Sequence, residues 1–258
     1  MQQTRASNSI FSVVAYRGDA KTLLAFDFDC SETPADLAGF TIEVAPPDFD
    51  PYYLLNNLRF ASQSDHAQVA GEDSYSTVNA PLHKFRWVHV PGSAHQGLEP
   101  EFGAYRYTVI PRYFTRGRLR PLDRTLAVAF EVEVAPYGQG KVRTGFTRGF
   151  VQSQAYVRHF GPKARISPKG AGLRFDTATV AGLAPDGKPF SYADQYRWLG
   201  FTARALLFEL LHELEADEAL TLDLFAYDMN EPDIVELLLR IGAAGRVNRP
   251  GSAGGLGL

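Results

Sequence analysis

Residues 191–245 read SYADQYRWLGFTARALLFELLHELEADEALTLDLFAYDMNEPDIVELLLRIGAAG, the best-specified stretch of the 258-residue chain. Its pattern is helix, strand, helix. Ser191 stands three residues before Asp194, the spacing of a capping box. Apolar residues then recur at Trp198, Phe201, Ala205, Phe208 and Leu211, one face of a helix. A second row, Leu199, Ala203, Leu206, Leu210 and Leu214, leaves Arg197, Arg204, Glu209 and Glu213 as the wet stripe, so the helix is expected to be mostly buried. Leu220–Tyr227 has two largely apolar faces, the pattern of a strand covered on both sides by helices in a parallel sheet. Pro232 suits a first helical turn, Asn230 or Glu231 can cap it, and Ile234, Leu237, Leu238 and Ile241 repeat at helical spacing before Gly242. One β-α step of this kind needs a further parallel strand, and only Arg246 and Val247 could begin one before the glycine-rich end NRPGSAGGLGL.

The chain ahead of this stretch is different. IFSVVAY, TLLAFDF, FTIEV, YYLLNNLRF, FRWVHV, AYRYTVI, TLAVAFEVEV and FTRGFVQSQAYVRHF each read as strands, and Leu126, Val128, Phe130, Val132 and Val134 share one face. Seven or eight half-buried antiparallel strands suit a two-sheet sandwich. The polar run from Ser62 to Ala80 reads as an exposed loop. Between Gly161 and Phe190, four prolines and a Pro185–Gly187 turn mark a connector with a small hairpin. The expected fold is therefore mixed: an N-terminal antiparallel β-sandwich (1–160), a connector (161–190), an incomplete α/β helix-strand-helix segment (191–245) and a disordered tail (246–258).

The single cysteine, Cys30, excludes an intramolecular disulfide, and neither a signal segment nor an apolar run of membrane-spanning length is present. A cytoplasmic location is expected. The net charge of −3 hides an uneven distribution. Residues 101–165 hold twelve Lys and Arg against four acids, whereas 191–240 hold three Arg against eleven acids. The two halves are expected to attract.

The phrase FAYDMNEPDIVELLLRIGAAGRV, preceded by the long helix, resembles the opening of a phospholipase D-like domain. AYRGDAKTLLAFDFD is similar to the leader module carried by a subset of such proteins. The resemblance implies a parent that cleaves or transfers a phosphodiester through a phosphohistidine, with no cofactor and no metal. That chemistry uses His, any residue, Lys, four residues, Asp, usually twice. The six histidines of this chain are followed two positions later by Gln68, Phe85, Pro91, Gly97, Gly161 and Leu214. No Lys stands where the pattern requires it, so no catalytic residue is assigned, and a phosphodiester is the expected substrate of the complete parent rather than of this chain. Tyr227, Asp228 and Asn230, at the carboxyl end of the predicted parallel strand, would border its cleft, although Asp228 and Asn230 suit helix caps equally.

The alternative is a non-enzymatic sandwich that binds a polyanion, a carbohydrate or a protein. Arg112, Arg116, Arg118 and Arg120 share one run with Tyr113 and Phe114, a mixture that suits an anion or a single-stranded nucleic acid. A solvated sheet face is the rival explanation. His83, His89 and His95 invite a metal site, but six residues of strand separate imidazoles by about 20 Å, and exposed histidines are the expectation. Asp27 and Asp29 read as the wet face of a strand whose Phe26 and Phe28 point inward. Arg17-Gly18-Asp19 reads as a turn. An unpaired edge at Leu220–Tyr227 would favour self-association.

Overall fold

The computed structural model describes residues 3–28, 33–62, 66, 69–91, 101–149, 151, 153–226 and 228–245. They fall into two compact units, Met1–Val142 and Arg143–Leu258. The expected tail, together with Asp29, His95 and Tyr227, lies outside the described residues.

The first unit is the β-sandwich. One sheet has the order β1-β2-β3-β6, from β1 (Gln3–Ser7), β2 (Phe11–Gly18), β3 (Lys21–Phe28) and β6 (Arg86–His89). The other runs β5-β4-β7, from β5 (Tyr52–Tyr53), β4 (Leu37–Ala45) and β7 (Gly103–Thr115), with β8 (Arg118–Leu119) and β9 (Val128–Val134) both on the far side of β7. All these ladders are antiparallel. Period-two alternation fixes which face is buried. Phe11, Val13 and Ala15 on β2 meet Phe40, Ile42 and Val44 on β4, and Val128, Phe130, Val132 and Val134 of β9 close the same core. Phe40 is its centre, with the rings of Phe26, Phe85, Phe28 and Phe11 between 4.6 and 6.1 Å away. Each such buried side chain contributes about 1.5–3 kcal/mol.

The sequence missed β1, whose QTRAS carries no apolar alternation. YYLLNNLRF pairs only at Tyr52–Tyr53. Beyond it, the Asn56 amide donates to the carbonyls of Ala80 and Pro81, which turns the chain away from the sheet. The expected exposed loop is only partly exposed. Ser76, Thr77 and Val78 are buried. The Ser76 hydroxyl has no partner among the described residues, but Thr77 Oγ1 accepts from Ile42 N at 3.1 Å, and Asn79 accepts from Val69 N and donates to Glu72 O and Asp73 O.

β10 (Tyr137–Gln139) and β11 (Val142–Thr144) form a two-stranded ribbon at the division. In the second unit, α1 (Gln154–Phe160) replaces a predicted strand. Ser153 caps it through Tyr156 N, a start signal that the β-prone run YVRHF obscures. β12 (Val180–Leu183) and β13 (Pro189–Ser191) are the expected connector hairpin. α2 (Tyr192–Ala216) starts on the expected capping box, with Ser191 and Asp194 bonded both ways, and α3 (Pro232–Ala243) starts on Pro232.

Two details of this unit differ from expectation. α2 is broken at Phe201, whose φ of 45° no helix accommodates. Its second half is also not mostly buried: Leu207 and Leu210 are exposed, and of its leucines only Leu211 and Leu214 are enclosed, against Leu237 and Ile241 of α3. The intervening segment, expected as a strand, forms a single bridge at Leu222 and no ladder among the described residues. Leu220 and Leu224 are about 40 % exposed and Phe225 is fully exposed. A fully buried strand needs neighbours on both edges and helices on both faces, and the described residues supply one helical face.

Candidate functional site

The four arginines proposed from sequence do not form one site. The β7–β8 hairpin turns at Arg116 and Gly117, both with positive φ, as a two-residue primed turn demands. Arg116 and Arg118 project from it into solvent. Arg120 pairs with Asp36 at 3.0 Å and lies over the Tyr113 ring. Arg112 points the other way. It is 2 % exposed, and its Nη1 donates to Thr41 Oγ1 at 2.9 Å and Val78 O at 2.7 Å while Nη2 donates to Arg120 O at 2.9 Å. Burial pushes its pKa down to about 10, so it remains charged at neutral pH. Arg112 ties the 76–80 segment to β4 and is not available to a ligand.

Of the predicted cleft residues, Asp228 and Asn230 are exposed loop positions. Neither caps α3: Glu231 is the N-cap residue, and its side chain makes no cap bond. The carboxylate instead joins Asp233 on the Arg204 guanidinium, at 2.9 and 2.8 Å. Thr177 donates to the same Asp233 at 2.6 Å. Burial raises the Glu231 pKa against the opposing pull of Arg204.

His89 is not the exposed histidine the sequence suggested. It is 3 % exposed in the sandwich core, with Nε2 3.1 Å from the Tyr52 hydroxyl and Nδ1 2.8 Å from that of Tyr107, which in turn donates to Thr22 Oγ1. No group of three or more His, Cys, Asp or Glu among the described residues could hold a metal ion. Phe26 and Phe28 are buried and Asp27 is exposed, as strand alternation predicts. Asp19 of the Arg-Gly-Asp turn is buried and accepts from Tyr137 N at 2.9 Å.

A groove of roughly 380 Å³ lies on the outer face of the second sheet. Residues alternating outward on three strands build it: Glu43 and Ala45 on β4, Arg106 and Thr108 on β7, Ala129 on β9. Register places Tyr53, Glu43, Thr108 and Ala129 in one row and Ala45 and Arg106 in the next. Arg124, on a short 3-10 turn (Arg124–Leu126) capped by Asp123, reaches over this face. Its two terminal nitrogens bond both Glu43 oxygens, at 2.7 and 3.0 Å, and Nη2 also donates to the Tyr53 hydroxyl. The Glu43 carboxylate holds Arg124 well above its ordinary pKa. Burial, followed by the Glu43 charge, raises that of Tyr53.

Compared with protein-family models, curated proteins and solved structures, the chain matches none.

The second unit contains a polar-aromatic cluster at the break in α2. Phe146 N donates to Thr202 Oγ1 at 3.0 Å, and Arg148 N donates to Leu199 O at 2.9 Å. The 146–148 segment thereby takes up backbone groups that the break releases. The Arg148 guanidinium lies 4.1 Å from the Phe201 ring centroid and 4.9 Å from that of Trp198. His159 stacks on Trp198 at 5.6 Å. Burial, reinforced by Arg148 and opposed by Asp186, lowers the His159 pKa from its ordinary value of 6.5. A histidine that resists protonation in the fold binds fewer protons than in the unfolded chain. Its contribution to stability is therefore fully present above about pH 6.5 and is lost as pH falls from there through the folded pKa. Thermal unfolding of the second unit should shift downward between pH 7 and 5, and His159→Gln should flatten that slope. An unchanged slope would assign the acid sensitivity to other groups.

Proposed function

We propose that this chain is the leading portion of a phospholipase D-like protein: a β-sandwich followed by the first helix, core strand and second helix of an α/β phosphodiesterase domain. One observation carries the reading. The run Leu220–Ala226 is largely apolar, stands between α2 and α3, and leaves Phe225 fully exposed, as a core strand does without its sheet. The resemblance of FAYDMNEPDIVELLLRIGAAGRV to the family's first strand and helix points the same way. In the parent, two histidines on other strands would supply the nucleophile and the acid. This chain, with no Lys two residues beyond any histidine, contributes walls and a leader but no phosphohistidine.

Three measurements test the proposal. Amides 221–226 should exchange with solvent within seconds, because they lack a ladder. Strong protection there would mean that the segment is already paired and that no sheet is missing. Reading the gene beyond codon 245 in all three frames should reveal His-x-Lys-x4-Asp. A phosphodiesterase assay on this chain should give no turnover, and activity abolished by replacing one of its six histidines would refute the assignment.

A further inference from the structure

We propose that the outer-face groove of the sandwich binds a carboxylated sugar, a uronate, with Arg106 receiving the carboxylate and the Glu43–Arg124–Tyr53 row and Thr108 receiving hydroxyl groups. The inference is independent of the phosphodiesterase reading.

Arg106 carries no ion pair or hydrogen bond through its side chain among the described residues. Glu131, opposite it in register, makes none with it either. Rooted on the middle strand of a sheet, over a floor of Ala45, Thr108 and Ala129, the exposed Arg106 side chain offers a free fork to a planar anion. The short floor leaves room that a long side chain would fill. Carboxylate and phosphate fit a fork equally well, and the remaining groups decide between them. Arg124 is neutralised by a two-point bond to Glu43, so Arg106 leaves the lining with one uncancelled positive charge. That balance suits a monoanion. A phosphate monoester close to two negative charges at neutral pH would face Glu43 directly. Glu43 oxygens accept from hydroxyls, whereas Arg124, Tyr53 and Thr108 donate, the mixed complement that a polyol needs. A volume of roughly 380 Å³ falls at the small end of ligand sites, enough for one sugar ring.

The test is a titration of the ¹⁵N-labelled full chain at constant ionic strength with potassium glucuronate, inorganic phosphate and glucose. Glucuronate should bind with a Kd of about 1 mM or tighter and move the Thr108 and Ala129 amide signals, with phosphate and glucose at least tenfold weaker. Arg106→Gln, an exposed change, should leave the spectrum folded and weaken glucuronate about tenfold or more, as loss of a charged hydrogen-bonding pair does. Phosphate binding as tightly as glucuronate would overturn the sugar assignment, and glucose binding as tightly would overturn the role of the carboxylate. Absence of glucuronate binding, or binding unaffected by Arg106→Gln, would remove the site altogether.

Discussion

Replacing Arg112 by methionine is expected to destabilise the sandwich by about 2–4 kcal/mol, because it strands the Val78 and Arg120 carbonyls, each worth roughly 1–3 kcal/mol when left unpaired. Methionine retains the buried stem, so the loss isolates the guanidinium. In a unit of this size the melting temperature should fall on the order of 10 °C. The same substitution at an exposed anion-binding arginine would leave the melting temperature within a degree or two, and that result would return Arg112 to the list of ligand contacts. Arg118→Met, on the exposed hairpin strand, serves as the control and should be nearly neutral.

Gly39→Ala should have a still larger effect. Gly39 sits at the register shift in β4 with φ near +131°, and a Cβ there would fall 2.2 Å from the Leu82 carbonyl oxygen. That carbonyl accepts from Phe40 N at 2.8 Å, and Leu82 N donates back to Phe40 O. An alanine must therefore pry apart a reciprocal backbone pair beside a fully buried phenylalanine of the core. A cost of about 3 kcal/mol or more is expected, from the clash and the backbone strain together. Gly71→Ala, with positive φ but open space around the added carbon, isolates the strain and should cost about 1 kcal/mol. Equal losses at the two positions, measured by denaturant titration, would show that the Leu82 contact is soft.

The sandwich was readable wherever alternation was strong. On β2, β3 and β9 every second residue is apolar, and a shift of one position would turn the core outward. The α2 start was readable because Ser191 and Asp194 lie within one turn of each other. The failures have a common source in contacts between residues distant in sequence. Arg112 looks like a member of a cationic run, and only the folding of residues 76–80 over β4 buries it. The polarity of that segment concealed its burial, since Thr77 finds its partner on Ile42 of β4 and Asn79 closes the turn back onto Val69, Glu72 and Asp73. α1 was hidden by aromatic, β-prone residues that packing against α2 overrides. Glu43, Arg106 and Arg124 are spread over 82 residues of sequence, yet a signal existed: short residues at successive outward positions of neighbouring strands leave a hollow that longer ones would fill.

Trp87 lies on β6 and Trp198 on α2, so each compact unit owns one of the chain's two tryptophans. Trp198 is buried in contact with a guanidinium and an imidazole, whereas Trp87 sits half-covered at the rim of a sheet. The polypeptide thus carries two intrinsic fluorophores in unlike surroundings, one per folding unit. With either indole exchanged for phenylalanine, the emission of the other follows the melting of its own half, and the cooperativity between the halves can be read without an added label.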